Sequence, residues 1–488
     1  MSPYIVICII IIYFAVIFSV SYFSSKGNNI NNFYKGNKNS PWWVVAIGMI
    51  GTTLSGVTFI SVPGLVSTET KMTYFEVILG NFLGYIAIMY FLLPLYYKMN
   101  LTSIYGYIEQ RFGKISYKTS AILFLLSKLI GAGFRLFIVI LVLQITVFDP
   151  LNLPFYLNAI ISVMLIWAYT IKGGIKSIIW TDMIQTFFLV FAVVFTIFSI
   201  GKELNMNFTS MVSAICSNDQ FVLFDFGNFW SNENNFFKQF ISGAFITIVM
   251  TGLDQDMMQK NLSLKNIHEA TKNFFSFSIA LIPVNFIFLC LGVLFVIYIN
   301  TKGISQQMNP DEIYPILATK YLPFSVSIFF ILGIIASAFS SANSAMVAMT
   351  TSFMIDIYNG KNKSEHKLKK VREITHTIVA LCFIGIIILF HLFNDESVVK
   401  TIFKFAGYTY GPLLGLFFVG LFTKWRIKDK TMTYISIVSI LLTVIIDTFS
   451  EEILFGYKFG FEILILNGII TIIGLLLCKE KTEYQSTI

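Results

Sequence analysis

The chain is poor in charge. Lys, Arg, Asp and Glu together make up 12% of its 488 residues, while 56% are hydrophobic and 51 are phenylalanine. A soluble domain of this length cannot bury so much apolar surface, and the mean hydropathy of +0.76 places the chain in a bilayer. Histidine is scarce as well. The four (His268, His366, His376, His391) form no HExxH pattern, and neither a phosphate-binding glycine loop nor a Ser-His-Asp arrangement is visible, so no enzyme constellation presents itself. Of five cysteines, Cys8, Cys290, Cys382 and Cys478 lie in or beside apolar segments and only Cys216 falls in a polar loop, which excludes a disulfide framework. No Ser/Gly/Pro-rich linker divides the chain. Nor does any basic stripe interleaved with aromatics suggest a nucleic-acid partner, although the formal net charge is +8.

What the chain has is apolar runs. Crossing about 30 Å of hydrocarbon takes roughly 20 residues, and about thirteen such windows recur, near 3–23, 44–65, 74–97, 118–147, 155–171, 177–200, 237–258, 274–299, 323–355, 374–393, 399–422, 432–449 and 460–478. The first has no basic leader or small-residue cleavage site and reads as a true span. Basic residues gather in alternate loops (Lys26, Lys35 and Lys38; Lys98, Arg111 and Lys114; Lys172 and Lys176; Lys361 to Arg372; Lys424 to Lys430). The intervening loops hold Asp149, then Asp219, Asp225 and Glu233, then Asp395 and Glu396, then Glu451 and Glu452. Because basic loops resist translocation, this alternation puts the N-terminus outside and the C-terminus, with a short tail over 479–488, in the cytoplasm.

Two windows carry interrupting glycines: AIGMIGTTLSGVTF with Gly48, Gly51 and Gly56, and FISGAFITIVMTGLDQ with Gly243 and Gly252. They stand five spans apart. Glycine in corresponding spans of two halves points to an inverted-repeat transporter with broken helices, and equally to close helix packing. Charges at bilayer depth cost about 2.5–3.5 kcal/mol each on insertion scales, so Glu76, Lys128, Arg135, Asp182 and Lys404 each need a partner or a task. Lys128 and Arg135, seven apart, share a helix face that could line one wet cavity.

Ser337, Ser340, Ser341 and Ser344 repeat at i, i+3, i+4 and i+7, forming one stripe along a helix over 333–358. Such a stripe serves tight packing or a monovalent cation site, in which hydroxyls combine with backbone carbonyls freed by a helix break near Gly51 to Leu54. Asp182 could serve a second ion.

At these residues the chain resembles the sodium/solute symporter family. The motifs are SPWWVVAIGMIGTTLSGVTFISVPG (40–64), GGIKSIIWTDMIQ (173–185), TGLDQDMMQKNL (251–262), ASAFSSANSAM (336–346) followed by DIY (356–358), and FAGYTYGPLLGLF (405–417). The resemblance implies an all-α polytopic fold with one transmembrane domain over 1–478 and a LeuT-type core of two inverted five-helix repeats, about 44–200 and 237–422. One helix precedes this core and two follow it. It also implies a sodium site of the Gly51, Leu54 and Ser337 carbonyls with the Ser340 and Ser341 hydroxyls. A second site would use Asp182, Ser340, Asn343 and Ser344, with asparagine standing where relatives carry serine or aspartate. Ser55, Thr58 and Arg135 fall at substrate-contacting positions, and Glu76 is expected beside them in place of a glutamine. The function so implied is sodium-coupled import of a small organic solute across a cell membrane, an organic anion such as a sialic acid or carboxylate first. A neutral sugar or polyol, or a non-transporting sensor, is the alternative. No organic cofactor is expected.

Overall fold

The structure is a computed structural model that describes residues 3–25, 38, 40–68, 70–304, 308–359, 363–393 and 398–480. The loop charges Lys26, Lys35, Lys361, Asp395 and Glu396 and most of the 479–488 tail lie outside these residues. Among the described residues the secondary structure is helical, apart from one isolated bridge between Ile427 and Lys479. That is the expected answer to hydrocarbon, where each backbone N–H and C=O has to be satisfied within its own segment.

Among the described residues nine helices are long and apolar enough to cross a membrane: α1 (Pro3–Ser24), α4 (Tyr74–Lys98), α5 (Lys114–Leu151), α7 (Gly173–Glu203), α10 (Ile267–Lys302), α11 (Phe324–Ile357), α12 (Glu365–Leu392), α13 (Thr401–Phe422) and α14 (Asp429–Thr448). Two further spans are bent pairs: α2 (Trp42–Thr53) meets α3 (Gly56–Ser67) at 55°, and α8 (Phe236–Gly252) meets α9 (Gln255–Leu262) at 62°. Two shorter apolar helices, α6 (Phe155–Ile171) and α15 (Ile463–Leu477), complete the set. The expected count of about thirteen is reached if both shorter helices also cross.

The bends fall in the two glycine-bearing spans, yet the glycines are not the hinge in the first. The chain leaves the helix at Leu54 (φ −78°, ψ 75°), and the Ser55 amide donates to Thr53 O two residues back (3.0 Å). Gly48 instead lets α2 approach α7, since a Cβ there would lie 3.2 Å from Asp182 Cβ. In the second span the break follows Gly252. Asp254 is extended (φ −106°, ψ 121°) and caps α9 by accepting from the Asp256 amide at 2.8 Å.

α11 occupies the middle of the bundle, packed against α5, α6, α7 and both halves of the first bent span. Every residue from Gly333 to Ser352 is buried, so this stretch has no lipid face and its alanines and serines serve close approach. A Cβ on Gly333 would stand 2.7 Å from Ala192 Cβ and 2.8 Å from the Phe59 ring. α4 and α8 pack in the same manner, Gly80 against Phe240 and Ala244, Gly84 against Ala244 and Thr247, and Gly243 against Val77.

Between α6 and α7 the chain turns at Gly174, whose φ of 61° and ψ of −170° belong to a region that only glycine occupies without strain. Gly174→Ala is expected to cost about 1–3 kcal/mol, read as a lower melting temperature of the purified protein in detergent. An unchanged melting temperature would show that the turn relaxes freely.

Candidate functional site

Each helix break releases carbonyl groups, and the two breaks treat them differently. At the α8–α9 break the Gly252 carbonyl accepts from the Tyr96 hydroxyl and the Leu253 carbonyl from the Tyr105 hydroxyl, both at 3.0 Å. At the α2–α3 break the carbonyls of Gly51 and Leu54 accept no hydrogen bond from any described residue. Buried polar atoms are rarely left so. α11 lies against this break, with Ser337 Oγ 3.6 Å from where a Gly56 Cβ would stand. The serine hydroxyls spend their protons elsewhere: Ser337 on Ile334 O (2.9 Å), Ser341 on Ala338 O (3.1 Å) and Ser340 on Asp182 Oδ1 (2.9 Å). Their lone pairs remain available to a cation. The oxygen-only donor set therefore fits a hard monovalent ion.

Asp182, fully buried on α7, gathers residues from three other helices. Lys260 Nζ on α9 lies 2.7 Å from Oδ2, and Thr52 at the end of α2 donates to the same oxygen (3.1 Å). The Lys260 ammonium also bonds the Thr52 hydroxyl. On α11, Ser340 and Asn343 donate to Oδ1 at 2.9 and 3.3 Å. Ser344, equally buried, lies beside Asp256 rather than Asp182.

A second ionic cluster adjoins the first. Lys128 on α5 pairs with Asp254 (3.1 Å) and Asp256 (2.8 Å), and the Tyr410 hydroxyl donates to Asp254 Oδ2 at 2.8 Å. Beside it opens a cavity of about 130 Å³ between the first bent span and α4, α5, α8, α10 and α13. Ser55, Thr58 and Arg135 line it, as does Lys128, so the two cations seven residues apart do share one cavity.

Arg135 stands apart from the other cations. It makes no hydrogen bond or ion pair with any described residue, and Tyr410, Asp254, Asp256 and Tyr74 reach it at longer range.

Glu76 is not where the sequence placed it. Tyr74, Ile78 and Asn81 of α4 line the cavity and Glu76 does not; its carboxylate accepts from the Asp225 amide of the following polar loop at 2.6 Å. Two residues along a helix turn a side chain through about 200°, so Glu76 cannot share the face of Tyr74 and Ile78. Asn81 supplies the polar group of α4 instead, donating to Gly243 O (2.9 Å) and Thr247 Oγ1 (3.0 Å) with its amide oriented by that network. Lys404 pairs with Asp447 at 3.0 Å, away from the cavity. The residues that sequence reading missed are Asp254, Asp256 and Lys260. Their signal was present, three charges within TGLDQDMMQKNL.

Two bent spans around a buried central helix, with charged groups at the breaks, define a multi-pass membrane protein with a LeuT-type core, the architecture of secondary carriers. Residues 33–429 match the model of the Sodium:solute symporter family, and the chain belongs to that family. It is 27% identical over 415 residues to the sodium/sialic acid symporter SiaT of Proteus mirabilis (strain HI4320), covering 83% of this chain and 81% of that one. It is also 24% identical over 453 residues to the sodium/glucose cotransporter of Vibrio parahaemolyticus (86% and 80%). Among solved structures, the substrate-bound outward-open state of a Na+-coupled sialic acid symporter has the same fold, with a TM-score of 0.83, 21% identity and coverage of 98% and 99%. A nucleobase-cation-symport-1 family transporter matches more distantly, at a TM-score of 0.58 and 12% identity.

Lys128 is held by two buried carboxylates, so Lys128→Met should leave both uncompensated and cost about 3–5 kcal/mol. Adding Asp256→Asn should recover part of that loss. Melting temperatures of the single and double variants in detergent check it, and equal values for wild type and Lys128→Met would contradict the pairing.

Proposed function

We propose that the chain is a sodium-driven symporter that brings a small organic anion into a cell, with the N-terminus outside and the C-terminus in the cytoplasm of a bacterial inner membrane. The observation that carries the choice of anion is Arg135: a guanidinium lining the cavity, with Lys128 and Lys260 both engaged and its own donors uncommitted. A rigid fork of donors suits a carboxylate in a water-poor site. Ser55 and Thr58, on the same wall as the first bent span, offer hydroxyls to the polar groups of the solute. Relatives described as carriers of sialic acid, a carboxylate sugar, support this reading. With Glu76 outside the cavity, a neutral sugar loses the strong acceptor that would have favoured it.

Sodium, the coupling ion, fits the Gly51, Leu54 and Ser337 carbonyls and the Ser340 and Ser341 hydroxyls. Binding there joins the broken span to α11, and occupancy of the cavity by solute then favours closure of the outer side. Both are released inside in the alternating-access manner. Flux, as opposed to sensing, is what counterflow in proteoliposomes would establish.

Ser341→Ala should remove one ion ligand without disturbing the helix, lowering sodium affinity and, by linkage, solute affinity. Sodium-dependent thermal shifts measure both, and an unchanged sodium response would refute the site. Arg135→Lys keeps the charge but not the fork. It should weaken binding of N-acetylneuraminate, the first probe to try, by about 1.5–3 kcal/mol, or one to two decades. Wild-type affinity in that variant would defeat the anion reading, as would sodium-dependent binding of glucose but of no organic acid across a metabolite panel.

A further inference from the structure

Resemblance to the family raises a second sodium held by Asp182 with Ser340, Asn343 and Ser344. The residues present do not fit it. The Asp182 carboxylate already faces a positive charge, the Lys260 ammonium at 2.7 Å, whose side chain is 1% exposed. Both of its oxygens are engaged as well: Oδ2 by Lys260 and by the Thr52 proton it shares with Gly48 O, Oδ1 by Ser340 and Asn343. Asn343 presents its N–H to the carboxylate, while its Oδ1 is buried and takes no hydrogen bond among the described residues. Ser344 lies beside Asp256 instead. A sodium ion added here would sit next to a fixed ammonium with no free carboxylate oxygen to compensate the repulsion.

The backbone explains how lysine reaches this place. After the 62° bend α9 turns back into the protein and all eight of its residues are buried, so Lys260 has no route to water. Thr52 and Asp182 are its bonded partners, and Asp256 adds longer-range attraction.

We propose that the Lys260 ammonium is a built-in cation standing where a second coupling ion would bind, so that this chain takes one sodium per cycle. The inference rests on the symporter reading above and deepens it by fixing the ion count.

Equilibrium binding of ²²Na+ to the purified full-length protein, without organic solute, tests it. One ion per chain with a Hill slope of one is expected for wild type. Asp182→Asn loosens the break that presents the Gly51 and Leu54 carbonyls, so it should weaken that single binding event without changing the count, as should Ser341→Ala. Lys260→Gln frees the carboxylate and should raise the count to two. A wild-type count of two that drops to one in Asp182→Asn overturns the inference and leaves the symporter reading standing; so does a folded Lys260→Gln that still binds one. Absence of saturable sodium binding in the wild type defeats the symporter reading itself. Should Lys260→Gln fail to fold because its carboxylate is stranded, the wild-type and Asp182→Asn counts decide.

Discussion

The contact on which the rest of the centre depends is the pair between Asp182 and Lys260, because it joins α7 to α9 in the buried interior. Removing either ion from water is costly, and a buried pair is tolerated only where hydrogen bonds complete the solvation of both groups. Here Thr52, Ser340 and Asn343 do so, and they come from α2 and α11. The one Thr52 hydroxyl proton is shared between the Asp182 carboxylate (3.1 Å) and Gly48 O (3.0 Å), which ties the last turn of α2 to Asp182 just before the chain leaves the helix. The carbonyls of Gly51 and Leu54 are thereby held beside the serine-rich face of α11. The ion pair and the sodium-type donor set are thus two consequences of one arrangement: the carboxylate positions the break, and the break exposes the carbonyls.

The second cluster extends the first. Asp182, Lys260, Asp256, Lys128 and Asp254 alternate in sign through the protein interior, and Arg135 at the cavity wall adds the cation that brings three of each sign together. Alternation lets each charge be solvated by its neighbours in place of water, the way such groups are kept at bilayer depth. It also leaves Arg135 as the member without a close partner. A neutral centre presenting one uncommitted cation attracts an anion without gathering a strong field of either sign elsewhere.

Much of this was legible before any coordinates. Spans follow from hydropathy because lipid admits little else, and glycines marked both bent spans, though in the first the break fell at Leu54, with Gly48 and Gly51 proving to be contact points with α7 and Gly56 with α5. Lys128 and Arg135 on one face gave the cavity, and Ser55 and Thr58 line it too. The failures have a common cause in helix geometry. Glu76 is apolar-segment acid by position, but the face it occupies turns toward the loop and meets Asp225. Lys260 lies past the end of the 237–258 window, in a stretch that reads as leaving the membrane. Only the 62° bend returns α9 to the core, and a bend angle is set by packing against neighbours that the local sequence does not name. Asp254 and Asp256 lay inside the window and were overlooked among its apolar residues.

Charge arithmetic links the ion pair to energetics. A centre whose six ionic groups cancel gains no net charge when one sodium and one monovalent anion enter together, whereas two sodium ions would leave it positive in a medium that screens poorly. A cycle of one sodium and one monoanion also carries no net charge across the membrane. The membrane potential, worth about 2.3 kcal/mol per charge per 100 mV, then does no work on the loaded carrier, and accumulation is bounded by the sodium concentration ratio. For a neutral solute the same single ion would make uptake voltage-driven. On the one-sodium proposal Lys260 sets the ion count: its ammonium would balance Asp182 without being transported, keeping the neutralising effect of a second cation and forgoing the driving force that a second cation would have supplied.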